Sequence, residues 1–260
     1  YDWAAGAAVP ISTTAMTDDV ITLETGLAVG DKIALEISGT DKVLITGVLE
    51  PFEEFYKEYT IKDTKITIQG AVKVLVCAGQ KIQKIDISKN PDLEYLHAYK
   101  NELTSFTIAN HSNIKRLILS ENKLSEVSVS DCSKLQSLSL WGNNLQSINL
   151  TNCPKITYVD CMRNNISDDA FQKLAKALPD MTESEEQAVI MLIDTKCSPK
   201  DKNVCLKSTV DKFLNKNWQV IDFGNEEFGR DGRPFLGSDV AIEDVISSHL
   251  NIYPNPTADH

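Results

Sequence analysis

The sequence has no long apolar run and comparatively little positive charge. No stretch approaches the roughly 18 uninterrupted apolar residues that a membrane-spanning helix needs, so we expect a protein that does not span a membrane. The 26 Lys and Arg residues stand against 37 Asp and Glu residues, for a net charge of −11, and no basic run offsets this balance. Because nucleic-acid binding depends on cationic side chains at the phosphates, we expect no nucleic-acid partner.

The motifs of common catalytic and metal sites are also missing. The 4 histidines and 6 cysteines form no His-x₃-His, Cys-x₂-Cys or HExxH motif, and the sequence has neither GxSxG nor a P-loop. Acidic pairs such as Glu53–Glu54 and Asp168–Asp169 lie in predicted loops or first helical turns, where carboxylates are usually solvated or interact with the helix dipole. We therefore expect no metal, no cofactor and no catalytic residues.

What the sequence does contain is a repeat of 21 residues. Lines that begin at residues 72, 93, 114, 135 and 156 align without a gap. Numbered within each line, positions 1, 4, 6, 11, 14 and 16 are apolar or small in the first four lines, whereas the fifth keeps the pattern only through position 11. Positions 4 and 6 alternate with their neighbours as in a strand with one buried face. Because one coil cannot bury its apolar side alone, the repeat predicts a stacked solenoid with a parallel sheet.

Position 9 carries a side-chain amide in all five lines. An amide that points inwards where the chain turns can satisfy backbone groups that leave the sheet, and copies in stacked coils can form a ladder. The predicted ladder consists of Gln80, Asn101, Asn122, Asn143 and Asn164. Because Gln replaces Asn in the first line, we expect a looser turn there.

The pattern LxxLxLxxNxLxxLxLxxC, clearest in LQSLSLWGNNLQSINLTNC, resembles the leucine-rich repeats of bacterial internalin-like proteins. This resemblance covers residues 72 to about 166 and implies an α/β fold, a leucine-rich repeat solenoid of about five 21-residue coils. The final residues, IYPNPTADH, are similar to the opening of the C-terminal sorting domain of type IX secretion in Bacteroidetes. Together the two resemblances imply a bacterial protein that is secreted or anchored at the outer membrane and cell surface.

The flanks of the repeats have different patterns. Before them, short period-two runs separated by Gly and Asp predict antiparallel strands, with EPFEEFYKEY as a short helix or a protruding loop. After them, SDDAFQKLAKALPD and KNVCLKSTVDKFLNKN predict helices, and AVIMLID and WQVIDF predict strands. The predicted division is a candidate disordered segment (1–17), an antiparallel β cap (18–71), the repeats (72–166), an α/β cap (167–223), a linker (224–251) and the start of a truncated sorting domain (252–260).

Two of the six cysteines lie outside the repeats. Cys197 and Cys205 flank the loop-like stretch CSPKDKNVC, where both a disulfide, which suits an exported protein, and two thiols are open alternatives. Cys132 and Cys153 occupy position 19 of neighbouring lines. We expect these two to be buried thiols, because parallel stacking directs their Cβ atoms poorly for a disulfide.

Strand side chains that point away from the core, at positions 3, 5, 7 and 8, form a predicted concave face. Four of the chain's 7 Tyr and 3 Trp residues fall on these positions. Tyr, Trp and Arg dominate binding hot spots, although aromatic residues also simply suit strands. The residues predicted to contact a partner are Tyr95, His97, Tyr99, Lys100, Arg116, Glu121, Trp141, Tyr158, Asp160 and Arg163.

From these features we expect a non-catalytic, monomeric binding module. Its concave face would recognise a protein or glycan at the cell surface or in the host matrix, as an adhesin does. Two alternatives stay open: a structural spacer or self-association module, and a hydrolase with a site between the caps, which would need an acidic cleft or one centred on His97. The sequence does not identify the partner, because such a surface encodes specificity in its shape.

Overall fold

The computed structural model describes residues 18–39, 42–222 and 233–234. The helices are α1 (Asp168–Ala177) and α2 (Lys207–Leu214). The strands are β1 (Val20–Thr25), β2 (Lys32–Gly39), β3 (Leu44–Thr46), β4 (Phe55–Thr60), β5 (Lys65–Gln69), β6 (Val72–Val76), β7 (Ile82–Lys89), β8 (Tyr95–His97), β9 (Ser105–Ala109), β10 (Arg116–Ile118), β11 (Glu126–Ser130), β12 (Ser137–Ser139), β13 (Asn149–Thr151), β14 (Tyr158–Asp160), β15 (Ala188–Ile193), β16 (Trp218–Asp222) and β17 (Arg233–Pro234). The fold is mostly β, and its centre is a β-solenoid of about four turns.

Strand pairing confirms the solenoid and its parallel sheet. The strands β6, β8, β10, β12 and β14 pair in parallel, each in register with the equivalent residues of the next coil. Leu96 lies opposite Leu117, and Leu117 lies opposite Leu138; all three are fully buried. With strands about 4.8 Å apart, the apolar residues at position 4 form one continuous column that no single coil could bury.

The return side of the coils forms a second parallel sheet from β9, β11 and β13. Phe106 lies opposite Val127, and Val129 opposite Leu150, with all four side chains buried in the core. The fifth line has a helix in place of this return strand: α1 begins after its N-cap Ser167 and contacts β13. This replacement explains why the structure has about four turns where the sequence predicts about five coils.

The N-terminal strands pair in the antiparallel direction: β2 and β4 extend the long sheet, whereas β1, β3, β5 and β7 form a separate four-stranded sheet. Strand β2 pairs with β6 and β4, while β1 pairs with β5 and β7. The segment EPFEEFYKEY is not a helix: residues 50–54 are an irregular, mostly exposed connection, and Phe55–Thr60 is strand β4 at one edge of the ten-stranded sheet. Of this strand only Tyr59 is buried, so its sequence lacks the apolar alternation that would have predicted a strand.

Strands β15 and β16 continue the long sheet in parallel, and β17 pairs with β16 in the antiparallel direction. Val159 lies opposite Ile190, and Ile190 opposite Val220, so the core column passes beyond the repeats. The helix predicted over KNVCLKSTVDKFLNKN is too long, because α2 begins only at Lys207 and the buried Asn203 precedes it in a segment without regular secondary structure. The predictions for 1–17 and 252–260, and for all of 224–251 except β17, lie outside the described residues. Neither α1 nor α2, at 10 and 8 residues, is long and apolar enough to cross a membrane.

Candidate functional site

One side of the long sheet is directed away from the core. Along β6, β8, β10, β12 and β14 the residues at positions 4 and 6 are buried, so the alternation of a strand directs positions 3, 5 and 7 to the other side. We call these outward residues, together with position 8, the open face. By register, all ten residues that the sequence predicts as partner contacts belong to it.

Position 8 has a left-handed backbone in every coil. The φ angles lie between 50° and 72° at Gly79, Lys100, Glu121, Gly142 and Arg163. This region costs a residue with a side chain roughly 1–2 kcal/mol, so glycine is favourable there and the three charged residues are held by the packing of the coil. One such turn per coil ends the strand at the same point each time, which keeps the open face regular.

The amide ladder follows directly after this turn. Asn122 Oδ1 accepts a hydrogen bond from the Leu103 N–H at 3.0 Å, and its Nδ2 donates to the carbonyl oxygens of Ala98 and Leu119 at 2.9 and 3.0 Å. Two of these three groups belong to the preceding coil. The equivalent bonds are made by Asn101, Asn143 and Asn164, and all four asparagines are buried.

The first ladder residue, Gln80, has an antiparallel strand as its neighbour in place of a preceding coil. Its Oε1 accepts from the Ala34 N–H on β2 at 2.8 Å, and its Nε2 donates to the Ala78 carbonyl oxygen at 2.8 Å. The pairing of β2 with β6 ends at Glu36 opposite Val76, so Ala34 lies beyond that pairing. The longer glutamine side chain supplies the acceptor that the end of β6 no longer provides.

A sixth ladder residue, Asn203, was missed by the sequence analysis. Its Oδ1 accepts from the Ile166 N–H at 2.8 Å, and its Nδ2 donates to the carbonyl oxygens of Cys161 and Leu192 at 2.8 and 2.7 Å. These are the bonds that each asparagine makes inside the repeats. The 21-residue spacing gave no signal for Asn203, because α1 and the segment 195–202 interrupt the period.

The segment 195–202 is tied to the end of the open face by a buried carboxylate. Asp201 Oδ2 accepts from the backbone N–H groups of Arg163 and Asp194 at 2.7 and 2.9 Å, and Oδ1 accepts from that of Asn203 at 3.0 Å. Burial raises the pKa of Asp201, and the three backbone donors oppose this rise. The bonds fix the inserted segment against the turn that carries Arg163.

Of the two alternatives for Cys197 and Cys205, the structure contains thiols. The Cys197 sulfur donates to the carbonyl oxygens of Asp194 and Pro199 at 3.2 and 3.1 Å. The Cys205 side chain is buried in the core, with its sulfur 3.9 Å from the Leu206 carbonyl oxygen. The two sulfurs are therefore not joined, since one belongs to the surface segment and the other to the interior.

Three ring side chains line β8 and the residues after it. The ring centroids of Tyr95 and His97 are 6.1 Å apart, and those of His97 and Tyr99 are 6.3 Å apart, within the range of favourable ring contacts. Burial lowers the pKa of His97, with an opposing effect of Glu36, so the imidazole is neutral near pH 7. Burial also raises the pKa of Tyr95. The three rings thus form an uncharged, half-buried row.

At the other end of the open face, an arginine is held over a tryptophan. The Arg163 guanidinium carbon lies 5.0 Å from the centre of the Trp141 ring. The same guanidinium contacts the buried Asp194 carboxylate, with Nη2 and Nε at 2.8 and 2.9 Å from Oδ2. A cation–π contact and a charge-assisted pair fix both side chains, which leaves little conformational entropy to be lost on binding.

Asp160 is the most buried of the ten predicted contact residues, at 9% exposed. Burial raises its pKa to about 7, and nearby Asp201 adds to the rise. Its two hydrogen bonds, from the Ser139 hydroxyl and the Met162 N–H, are both long at 3.4 Å. The Ser139 oxygen lies 2.8 Å from that of Ser120. The open face thus contains a short row of two hydroxyls and one carboxyl.

The N-terminal strands add residues to the open face that the sequence analysis missed. Glu36 lies opposite Val76, and Tyr56 lies opposite Glu36, so both continue the row of His97. Tyr56 is 66% exposed. The alternation in KIALEIS was a signal for Glu36, but Tyr56 was hidden in a segment predicted as a helix or loop.

Within the two long described ranges, no group of three or more His, Cys, Asp or Glu side chains could hold a metal ion. No protein-family model matches the chain, and comparison with curated proteins gives no match either.

Proposed function

We propose that this chain is a non-catalytic binding module whose open face recognises a protein or glycan partner. The observation that carries the proposal is the open face itself, where uncharged rings and a fixed Trp141–Arg163 pair project from a rigid parallel sheet. Rigid aromatic and arginine side chains contribute most of the binding energy in protein interfaces. Their half-buried state leaves surface for a partner while holding each ring in place.

The proposal includes the identity of the repeats and their setting. The coils are leucine-rich repeats of the bacterial internalin-like type, with an N-terminal β cap and an α/β C-terminal cap. The inward apolar residues at positions 4 and 6, the left-handed turn at position 8 and the side-chain amide at position 9 support this interpretation. The terminal IYPNPTADH supports secretion by the type IX route and a place outside the cell or on its surface.

A glycan and extracellular-matrix array tests this function. We expect the chain to bind at least one component, and the double variant Trp141→Ala with Tyr99→Ala to lose that binding while its free energy of unfolding changes by about 1 kcal/mol or less. Phe55→Ala is the matched control, because Phe55 is 62% exposed but alternates with Tyr56 to the other side of β4. Unchanged binding by the double variant, or destabilisation by several kcal/mol, would contradict the proposal.

Self-association is a second candidate, favoured by one feature of the sheet. Strand β4 lies at one edge of the ten-stranded sheet and carries the exposed Phe55 and Tyr56. Exposed strand edges are common sites of pairing between chains. Sedimentation at increasing concentration separates the candidates, since a rise in mass would favour self-association and a constant monomer mass would favour the binding module.

A further inference from the structure

The C-terminal part of the open face contains a carboxyl group whose role the proposed function leaves open. Asp160 ends β14 and is buried, yet both of its hydrogen bonds are 3.4 Å long. Strong hydrogen bonds to a carboxylate are roughly 2.5–2.9 Å. Asp160 therefore keeps most of its capacity to accept hydrogen bonds, in a place where an uncompensated charge is costly.

The side chains around Asp160 provide surfaces that attract a cation. Tyr158 precedes it on the same face of β14, and Ser139 and Met191 lie directly opposite it on the two neighbouring strands. The Tyr158 hydroxyl donates to the Met191 sulfur at 3.4 Å, so the ring lies beside the thioether. On the adjacent coil, the Trp141 ring packs against the guanidinium of Arg163, so an aromatic ring in this part of the face already contacts a positive charge.

The charges that face Asp160 leave the region negative. Ser137 and Ser139 of strand β12, and Trp141 after the strand, carry no charge. Burial raises the pKa of Tyr158 to about 12 and also raises the pKa of Cys197, so both are neutral at pH 7. Cys161 is a neutral thiol in the core. The charged groups are the Arg163 guanidinium and the carboxyls of Asp160, Asp194 and Asp201.

The guanidinium of Arg163 does not neutralise the negative charge of Asp160. Arg163 forms its ion pair with Asp194, at 2.8 Å, and its side chain lies over Trp141. Asp201 is occupied by three backbone N–H groups. Asp160 is thus the carboxyl of this set without a close charged or backbone donor, and it lies between aromatic and thioether surfaces.

We propose that Asp160, Ser139 and Tyr158 form a subsite for the primary ammonium group of a lysine side chain on a protein partner. The inference rests on the proposed function and narrows its partner to a protein with an exposed lysine. The ammonium would donate to the Asp160 carboxylate and the Ser139 hydroxyl, while its carbon chain lies along Tyr158 and Met191. A sugar hydroxyl could also donate, but it would leave the buried charge uncompensated.

Protonation of Asp160 competes with the ammonium. Because the pKa of Asp160 is raised to about 7, a lysine that binds at pH 5 must displace the proton of the carboxyl group, whereas at pH 8 the site is already ionised. The dissociation constant should rise about tenfold for each pH unit below 7 and stay constant from about pH 7.5 to 9. By the same linkage, a bound ammonium lowers the pKa of Asp160.

An NMR titration of the full 260-residue chain with Nα-acetyl-lysine N-methylamide tests the subsite. We expect the Asp160 carboxyl carbon and the Trp141 indole N–H to shift, with binding about 100-fold weaker at pH 5 than at pH 8. The norleucine analogue, which lacks the ammonium, should produce no shift. Asp160→Asn should remove the pH dependence and weaken binding at pH 8 at least about tenfold.

Asp131→Asn is the matched control, because it makes the same chemical change at an exposed residue that follows β11 on the return side. Its φ of 56° is one that asparagine also tolerates, and it should bind the lysine probe as the unmodified chain does. If Asp160→Asn does not fold, the unmodified chain decides: an Asp160 pKa that the probe leaves unchanged overturns the subsite.

Two further outcomes would overturn the proposal. An equal response to the norleucine analogue would show that the ammonium is not recognised, and a response to methyl glycosides but not to the lysine probe would assign the subsite to a glycan. The array distinguishes this failure from that of the proposed function. Array binding that depends on Trp141 and Tyr99, without a probe response, overturns only the subsite; the reverse result overturns only the proposed function.

Discussion

The two ends of the amide ladder use different side chains to form hydrogen bonds with backbone groups of the neighbouring strand. At the N-terminal end Gln80 bonds to Ala34 on an antiparallel strand. At the C-terminal end Asn203 bonds to Ile166, Cys161 and Leu192, as an asparagine inside the repeats would. The choice of amide therefore follows the direction of the neighbouring strand. Next to a parallel coil, an asparagine side chain is long enough to contact the backbone groups of that coil. Next to the antiparallel strand β2, the longer side chain of glutamine is needed.

The ends also differ in charge, which the pH dependence of stability can measure. The C-terminal end contains the buried Asp160, whose pKa is raised from 3.8 to about 7. The folded state then binds more protons than the unfolded state between these values, so the free energy of unfolding falls as the pH rises from about 4 to 7 and levels off above. A shift of this size corresponds to a loss on the order of 4 kcal/mol.

We expect Asp160→Asn to remove this part of the pH dependence. Urea unfolding from pH 4 to 8 should show stability that declines in the unmodified chain but much less in the variant, with the largest difference at pH 8. Asp131→Asn, at the exposed return side, should retain the decline. Parallel curves for the unmodified chain and Asp160→Asn would contradict the assignment of this decline to Asp160.

The second comparison removes one amide at each end. Asn203→Ala leaves the Ile166 N–H and the carbonyl oxygens of Cys161 and Leu192 buried without that partner, and we expect it to cost about 3 kcal/mol. Gln80→Ala affects a half-buried turn, and we expect a cost of about 1 kcal/mol. Urea unfolding measures both. An equal loss of unfolding free energy in the two variants would contradict the proposed difference between the two ends of the ladder.

The smallest effect should come from exchanging the amide at the N-terminal end. Gln80→Asn shortens the side chain by one methylene, so it should lose the 2.8 Å bond to Ala34 and cost about 0.5–1 kcal/mol. Hydrogen exchange of the Ala34 amide, compared with the unmodified chain, should be faster. A variant as stable as the parent, with a protected Ala34 amide, would show that reach does not determine the choice of glutamine.

The parts of the fold that the sequence predicted are those with strict periodicity. The apolar residues at positions 4 and 6 recur every 21 residues, and a one-residue slip would expose them, so the stacking of Leu96, Leu117 and Leu138 followed directly. Strand β4 and Asn203 could not be predicted in this way. Strand β4 buries only Tyr59, and Asn203 lies beyond a helix and an inserted segment that break the period.

The open face was predicted in outline but not in its chemistry. The alternation of a strand assigned Tyr95 and Trp141 to one side of the sheet, whereas Arg163, at position 8, lies in the left-handed turn that follows the strand. The burial of Asp160 and the pairing of Arg163 with Asp194 depend on residues more than one repeat length away in the chain. Such contacts arise from tertiary packing, which a periodic pattern does not contain.

The ladder gives the assembly of this protein a direction. The Leu103 N–H finds its acceptor in Asn122, and the Leu124 N–H finds its acceptor in Asn143, so a turn is completed by a residue that follows it in the chain. During synthesis, which releases the N-terminus first, the backbone N–H at the turn of each new coil has no asparagine acceptor until the next coil has been made. A chain cut at its C-terminal side loses this closure, whereas one cut at its N-terminal side keeps the later turns complete.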